Sequence, residues 1–195
     1  YKKRYIDNEA IIEKNDTEEE RKGLSLVYDY IKQFDYEKKK FNVFVCAMEI
    51  HQKLYKFCPN PSFGGQLRDS QAILRGTFHD VMDSASAKKF FNEFILNSDY
   101  ISSPLDNGDI IGYINNCVKV TTDLIKAQPF NDGNKRTFRA LLNLMLKRIN
   151  IPPIYIENYE KDEYKNCLIK AINDNDYIPI TRFYYYKICD AIVQL

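Results

Sequence analysis

Along most of this chain apolar residues recur at spacings of three and four, the period of an amphipathic helix. In "EEERKGLSLVYDYIKQF" the positions Leu24, Val27, Tyr28 and Ile31 fall on one face. Thr17 and the three glutamates after it predict the helix start: a capping hydroxyl, then acids near the positive end of the dipole. "FNVFVCAMEIHQKLYKF" is apolar on most sides, which predicts a second, central helix. The prolines and glycines of "CPNPSFGG" predict a loop. "GQLRDSQAILRG", short and bracketed by glycines, predicts a hairpin or extended flap. "SAKKFFNEFILNS" returns to helix, and "SSPLDNGD" reads as a loop. "DIIGYINNCVKVTTDLIKA" has helical spacing at Ile111, Ile114, Val118 and Ile125. "KRTFRALLNLMLKRIN" is the strongest helix, with Phe138, Leu141, Leu142, Met145 and Ile149 on its inward stripe, and "IPP" stops it. "EKDEYKNCLIKAINDN" and "TRFYYYKICDAIVQL" predict two more. The expected fold class is mainly α, with one small β-hairpin flap and no linker that divides the chain.

Composition narrows the picture a little. The 195 residues are 45% hydrophobic and carry a formal net charge of +1, enough for one packed core and no global field for nucleic acid or an acidic membrane. The tyrosines of "RFYYYK", set beside cations on a helix, are core and interface rather than a stacking platform for bases. No apolar run reaches the ~18 residues of a membrane span, and "YKKRYIDNEA" lacks a signal peptide's apolar core. The five cysteines form no CxxC pair, which predicts reduced thiols and a cytoplasmic setting.

Chemistry concentrates in "QPFNDGNKR", residues 128–136, between two predicted helices. Unpaired N–H groups at a helix start favour an anion. Gly133 allows the close approach or positive φ of a phosphate cradle. Asn134 can donate its amide to a phosphate oxygen, Lys135 supplies a point charge, and Arg136 offers a planar fork of donors. Asp132 is a hard oxygen ligand suited to Mg²⁺ shared with phosphates. Taken on spacing alone, such a stretch is also compatible with an ordinary polar turn.

The stretch resembles the signature of the Fic family, HPFx[D/E]GN[G/K]R. Eight of its nine positions fit: Pro129, Phe130, Asn131 at the free position, Asp132, Gly133, Asn134, Lys135 and Arg136. "TFRALLNLMLKRINIPP" resembles the helix that follows the motif in that family, "GQLRDSQAILRG" its target-docking flap, and "DEYKNCLIKAINDNDYIPITRF" its next helix. The resemblance covers residues from about 22 to 183. It implies a Fic-type helical domain over 22–195, behind an N-terminal segment of residues 1–21. It also implies AMP transfer from ATP to a Ser, Thr or Tyr hydroxyl of a target protein. By position, Asp132 would hold Mg²⁺, Gly133, Asn134 and Lys135 would cradle phosphates, and Arg136 would grip the γ-phosphate. Gln66, Leu67, Arg68, Ser70, Ala72 and Leu74 would clamp the target as an added strand. No nucleic acid or membrane partner is implied, and a homo-oligomer stays open.

Two departures matter. The family's general base is a histidine at the first motif position, where this chain has Gln128, whose amide has no basic lone pair near neutral pH. Neither His51, in the apolar second helix, nor His79, after the flap, is an obvious substitute. The implied enzyme is therefore weakened or inactive as it stands; a nucleotide-binding pseudoenzyme, a regulatory interaction module and a kinase of the related Doc type are the alternatives. Secondly, "NEAIIEKNDT" resembles a degenerate form of the family's inhibitory motif, [S/T]xxxE[G/N]. Glu13 takes the glutamate's place, Glu9 replaces Ser or Thr, and Lys14 replaces Gly. On this alignment the carboxylate of Glu13 is expected beside Arg136.

Overall fold

A computed structural model describes residues 1–13, 16–73 and 81–193. Among them are nine α-helices: α1 Lys2–Ile12, α2 Glu18–Gln33, α3 Val43–Tyr55, α4 Ser84–Asn92, α5 Asp99–Asp106, α6 Ile110–Ala127, α7 Asn134–Lys147, α8 Lys161–Asp174 and α9 Ile178–Val193. The Thr17 hydroxyl accepts from the Glu20 N–H at 3.2 Å, so α2 starts where its capping residue predicts. Asn42 and Asp109 cap α3 and α6 in the same way.

α7 is the axis of the domain. It packs on α6, α3 and α2. It buries Thr137 to Leu146 without a break, where the sequence predicts only a stripe. A helix with neighbours on every side has no solvent face, so even Arg136, Arg139 and Asn143 on it are buried. α1 lies along α2, pinned by the Tyr5, Tyr28 and Tyr155 cluster.

The segment expected as a loop at "SSPLDNGD" is largely helical, because α5 runs through Pro104 to Asp106. Proline removes the N–H that would bond the Tyr100 carbonyl, and the Ser103 hydroxyl takes that carbonyl at 2.8 Å instead. Ile101 is buried and Leu105 packs beside the core, which favours the helix. Of the expected hairpin, the described residues show one isolated antiparallel bridge, Leu67 to Phe130. Residues 74–80, which include Leu74 and His79, lie outside the described residues. All five cysteines are unpaired. No helix among the described residues is long and apolar enough to cross a membrane.

Candidate functional site

The loop from Gln128 to Gly133 reverses the chain between α6 and α7. Gln128 ends α6 in the left-handed region (φ 50°, ψ 58°), its N–H still bonded to the Leu124 carbonyl at 3.2 Å. Its side chain is turned inward: Nε2 donates to the Ile125 carbonyl at 2.6 Å and Oε1 accepts from Asn134 Nδ2 at 3.1 Å. Asn134 closes the loop from the other side. Its Oδ1 accepts from the Phe130 N–H at 2.9 Å, and its Nδ2 also donates to the Phe130 carbonyl at 2.8 Å. The amide expected to reach a phosphate is committed to the turn itself. Phe130 is the anchor, fully buried between His51 and Phe138.

Asp132 and Gly133 form the outer edge. Gly133 has φ 72° and precedes α7, and no side chain caps that helix among the described residues. A Cβ at Gly133 would lie 2.9 Å from a Tyr55 ring carbon and 3.3 Å from Leu54, so only glycine fits. Tyr55 donates its hydroxyl to Asp132 Oδ2 at 2.7 Å, and Arg136 Nη2 approaches the same oxygen at 3.4 Å. The Asp132 side chain stays 65% exposed. Burial, and then the bond to Asp132, push the Tyr55 phenol above its ordinary range. His51 reaches the same residue from α3, its Nε2 donating to the Asp132 backbone oxygen at 3.0 Å while Nδ1 accepts from the Gly65 N–H at 2.9 Å.

The cations of α7 do not stand free. Arg136 Nη1 forms an ion pair with Glu20 Oε1 on α2 at 2.7 Å, and Glu20 Oε2 is buried without a hydrogen-bond partner among the described residues. Burial works to lower the Arg136 pKa, and Glu20 outweighs it. Glu13 is not beside Arg136, contrary to expectation. It pairs with Arg139 at 2.7 Å and with Lys135 at 3.0 Å. Glu9, on the same face of α1, holds Arg139 from Oε2 at 2.7 and 3.0 Å. Burial works to raise the Glu13 pKa, but the charges of Arg139 and Lys135 bring it down to about 2.

Arg139, Glu9, Glu20, Tyr55 and His51 are thus parts of the site that the motif alone does not single out. Arg139 carried a signal nonetheless: it is a charge one turn beyond Arg136, next to Phe138 of the inward stripe, on the strongest predicted helix.

The flap segment begins beside the same loop. Arg68 does not face a docking partner, because its side chain is fully buried. Its guanidinium donates to the carbonyls of Gln128 at 2.5 Å, Ser70 at 2.6 Å, Ala127 at 3.4 Å and Met82. Its backbone N–H bonds the Pro129 carbonyl at 2.9 Å. Gln66 and Ser70 are exposed, Ser70 donating to Asn131 at 3.2 Å, while Leu67 and Ala72 are half-buried.

Residues 45–146 match the family model described as the Fic/DOC family, about half of the chain and the whole of the site's frame except α1 and α2. The chain belongs to the Fic/DOC family. Two Fic relatives, both named protein adenylyltransferase Fic, come from Drosophila willistoni, 29% identical over 181 residues, and Aedes aegypti, 28% identical over 180. Each alignment covers 91% of this chain and 33% of the relative, so the chain spans about a third of the length of these proteins. The fold is also that of solved Fic domains. A Fic domain containing signaling protein from Bacteroides thetaiotaomicron superposes with a TM-score of 0.77 at 18% identity, covering 98% of this chain and 84% of that one. Fic-1 from C. elegans gives 0.76 at 19% identity, over 99% and 61%.

Proposed function

We propose that this chain carries a Fic-type adenylyltransferase site, built to move AMP from ATP to a hydroxyl of a target protein and slowed by Gln128. The observation that carries the reading is the uncapped start of α7 behind the left-handed Gly133, with Asp132 and Arg136 only 3.4 Å apart beside it. The residues fit a magnesium nucleotide. Asp132 is exposed and uses Oδ2 for Tyr55 and Arg136, which leaves Oδ1 uncommitted among the described residues. No cluster of three or more acidic, histidine or cysteine side chains suited to a metal occurs among those residues. Asp132 would therefore share Mg²⁺ with the phosphates, as that small hard cation favours. Mg²⁺ supplies charge neutralisation on the phosphates when bound.

The chain's own part is positioning. The first N–H groups of α7 would receive phosphate oxygens, and Lys135 would add charge at the rim. Arg136 and Arg139 would bind phosphate once their carboxylates give way. Attack of the target's oxygen on the α-phosphorus forms one P–O bond, breaks the bond to the departing pyrophosphate, and releases the hydroxyl proton. Gln128 cannot accept that proton, and a missing base typically costs about 10²–10⁴-fold in rate. His51 does not replace it, since both ring nitrogens are bonded and burial lowers its pKa to about 4.

Two further parts complete the reading. Glu13 acts as a brake, with Arg139 as its partner. The exposed Gln66 and Ser70 would pair with an extended target segment. Incubation with ATP labelled at the α- or γ-phosphate, on the present chain and on Gln128→His, tests the whole. Label from the α-position, raised by orders of magnitude in Gln128→His, is expected. Label from γ alone would mean a kinase. No label in either chain, with nucleotide still bound, would leave a nucleotide-holding pseudoenzyme, the reading favoured by a Gln128 amide bonded at both ends.

A further inference from the structure

His51 stands at a junction that the motif does not mention. Its ring is buried and lies flat on Phe130, with centroids 3.9 Å apart and planes at 7°. Because the Gly65 N–H must donate, Nδ1 has to be the bare nitrogen. Nε2 then carries the proton and has to be the donor to the Asp132 carbonyl. One neutral imidazole therefore spans two chain segments that are far apart in sequence: the edge of the candidate phosphate turn and the root of the flap segment. A second tie runs in parallel, from the Arg68 backbone and side chain to Pro129 and Gln128.

We propose that His51 is a positioning residue that fixes Asp132 against the flap root, so that the magnesium-nucleotide turn and the target-docking segment are held as one unit. Its role in function rests on the nucleotide reading given above. Its role as a link does not. Asp132 is held at two points: Tyr55 donates to Oδ2 of its carboxylate, and His51 holds its backbone oxygen. An outer partner that orients a metal-binding group typically contributes about 10–100-fold in metal affinity or activity. Coupling is reciprocal, so whatever stiffens the flap root stiffens the turn.

The two ring nitrogens can be tested apart. Asparagine places an acceptor near the position of Nδ1 and cannot reach Asp132. Glutamine places a donor near the position of Nε2 and gives up Gly65. In the whole chain without nucleotide, hydrogen exchange should quicken at residues 130–135 in His51→Asn and at the flap root around Gly65 in His51→Gln. Calorimetry with ATP should show affinity in the presence of Mg²⁺ falling about tenfold in His51→Asn. His51→Gln should stay within a few-fold of the parent, and Mg²⁺-free affinity should be equal in all three. Exchange that quickens at both segments in both variants, in step with a common loss of thermal stability, would make His51 a packing residue and overturn the proposal. Unchanged exchange in both would overturn it too. A parent chain that binds no nucleotide would remove the reading of the site while the exchange pattern still decides the link.

Discussion

Arg68 and Arg139 are buried to nearly the same depth, at 0% and 3% exposure, and their charges are met in different ways. Arg68 lies among carbonyl oxygens, those of Ala127 and Gln128 at the end of α6, the negative pole of that helix, and that of Ser70 from its own segment, with no ion-pair partner among the described residues. Burial lowers its pKa, against the opposing charge of Asp83. Arg139 lies between the carboxylates of Glu9 and Glu13, whose charges outweigh burial and raise its pKa. Backbone dipoles cannot leave, so Arg68 is a fixture that fastens the flap root to the loop. The carboxylates that meet Arg139 stand on α1 and at its end, a separate helix, and under the proposed reading an anion would take their place. The difference separates a cation held by backbone dipoles from one held by side-chain charges.

Removing each charge should break the symmetry most sharply. Arg139→Met strands the buried Glu9 and leaves the half-buried Glu13 with Lys135 alone, and should cost about 3–5 kcal/mol in chemical denaturation. Much of that should return when Glu9→Gln and Glu13→Gln are added. Arg68→Met strands carbonyls instead. At about 1 kcal/mol or more for each buried group left unpaired, it should cost roughly 3 kcal/mol, and removal of no acid should restore it. If both variants were rescued by removing acids, the comparison would be wrong.

Acid sharpens the contrast at a smaller scale. Glu13 titrates near 4.5 when unfolded and near 2 when folded, so its contribution is present above about pH 4.5 and is lost as pH falls towards 2. A loss on the order of 2 kcal/mol across that window is expected, absent in Glu13→Gln. His51 behaves similarly at higher pH. Its folded value of about 4 lies below the ordinary 6.5, so the stability it lends is full above about pH 6.5 and drains away as pH falls to 4. That slope should disappear in His51→Gln. The smallest effect is on ligand binding. Glu9→Gln with Glu13→Gln should tighten ATP about tenfold, or ~1.4 kcal/mol, by calorimetry. An unchanged affinity would remove the brake and leave the pair as structure.

Periodicity and punctuation made the frame legible: the Thr17 cap, the helices α3 and α7, and the turn between Gln128 and Gly133 each follow from local rules, while the central place expected of α3, which leaves Val45 exposed, belongs to α7. The "SSPLD" helix was not legible, because a hydroxyl three residues from a carbonyl repairs what proline breaks, and composition does not report such a repair. The partner of Glu13 was misplaced by one helical turn for a related reason. Arg136 and Arg139 share a face of α7, and only the lie of α1 decides which one it meets. Tyr55 and His51 escaped because their work is done across elements, while the pattern of α3 speaks only for its own faces.

The backbone at Gln128 has a wider effect. A left-handed residue at that corner excludes the β-branched side chains and accepts unbranched polar ones, histidine among the readiest. Amide and imidazole can then alternate there while the chain path stays put, so an exchange at this corner changes reactivity without changing shape.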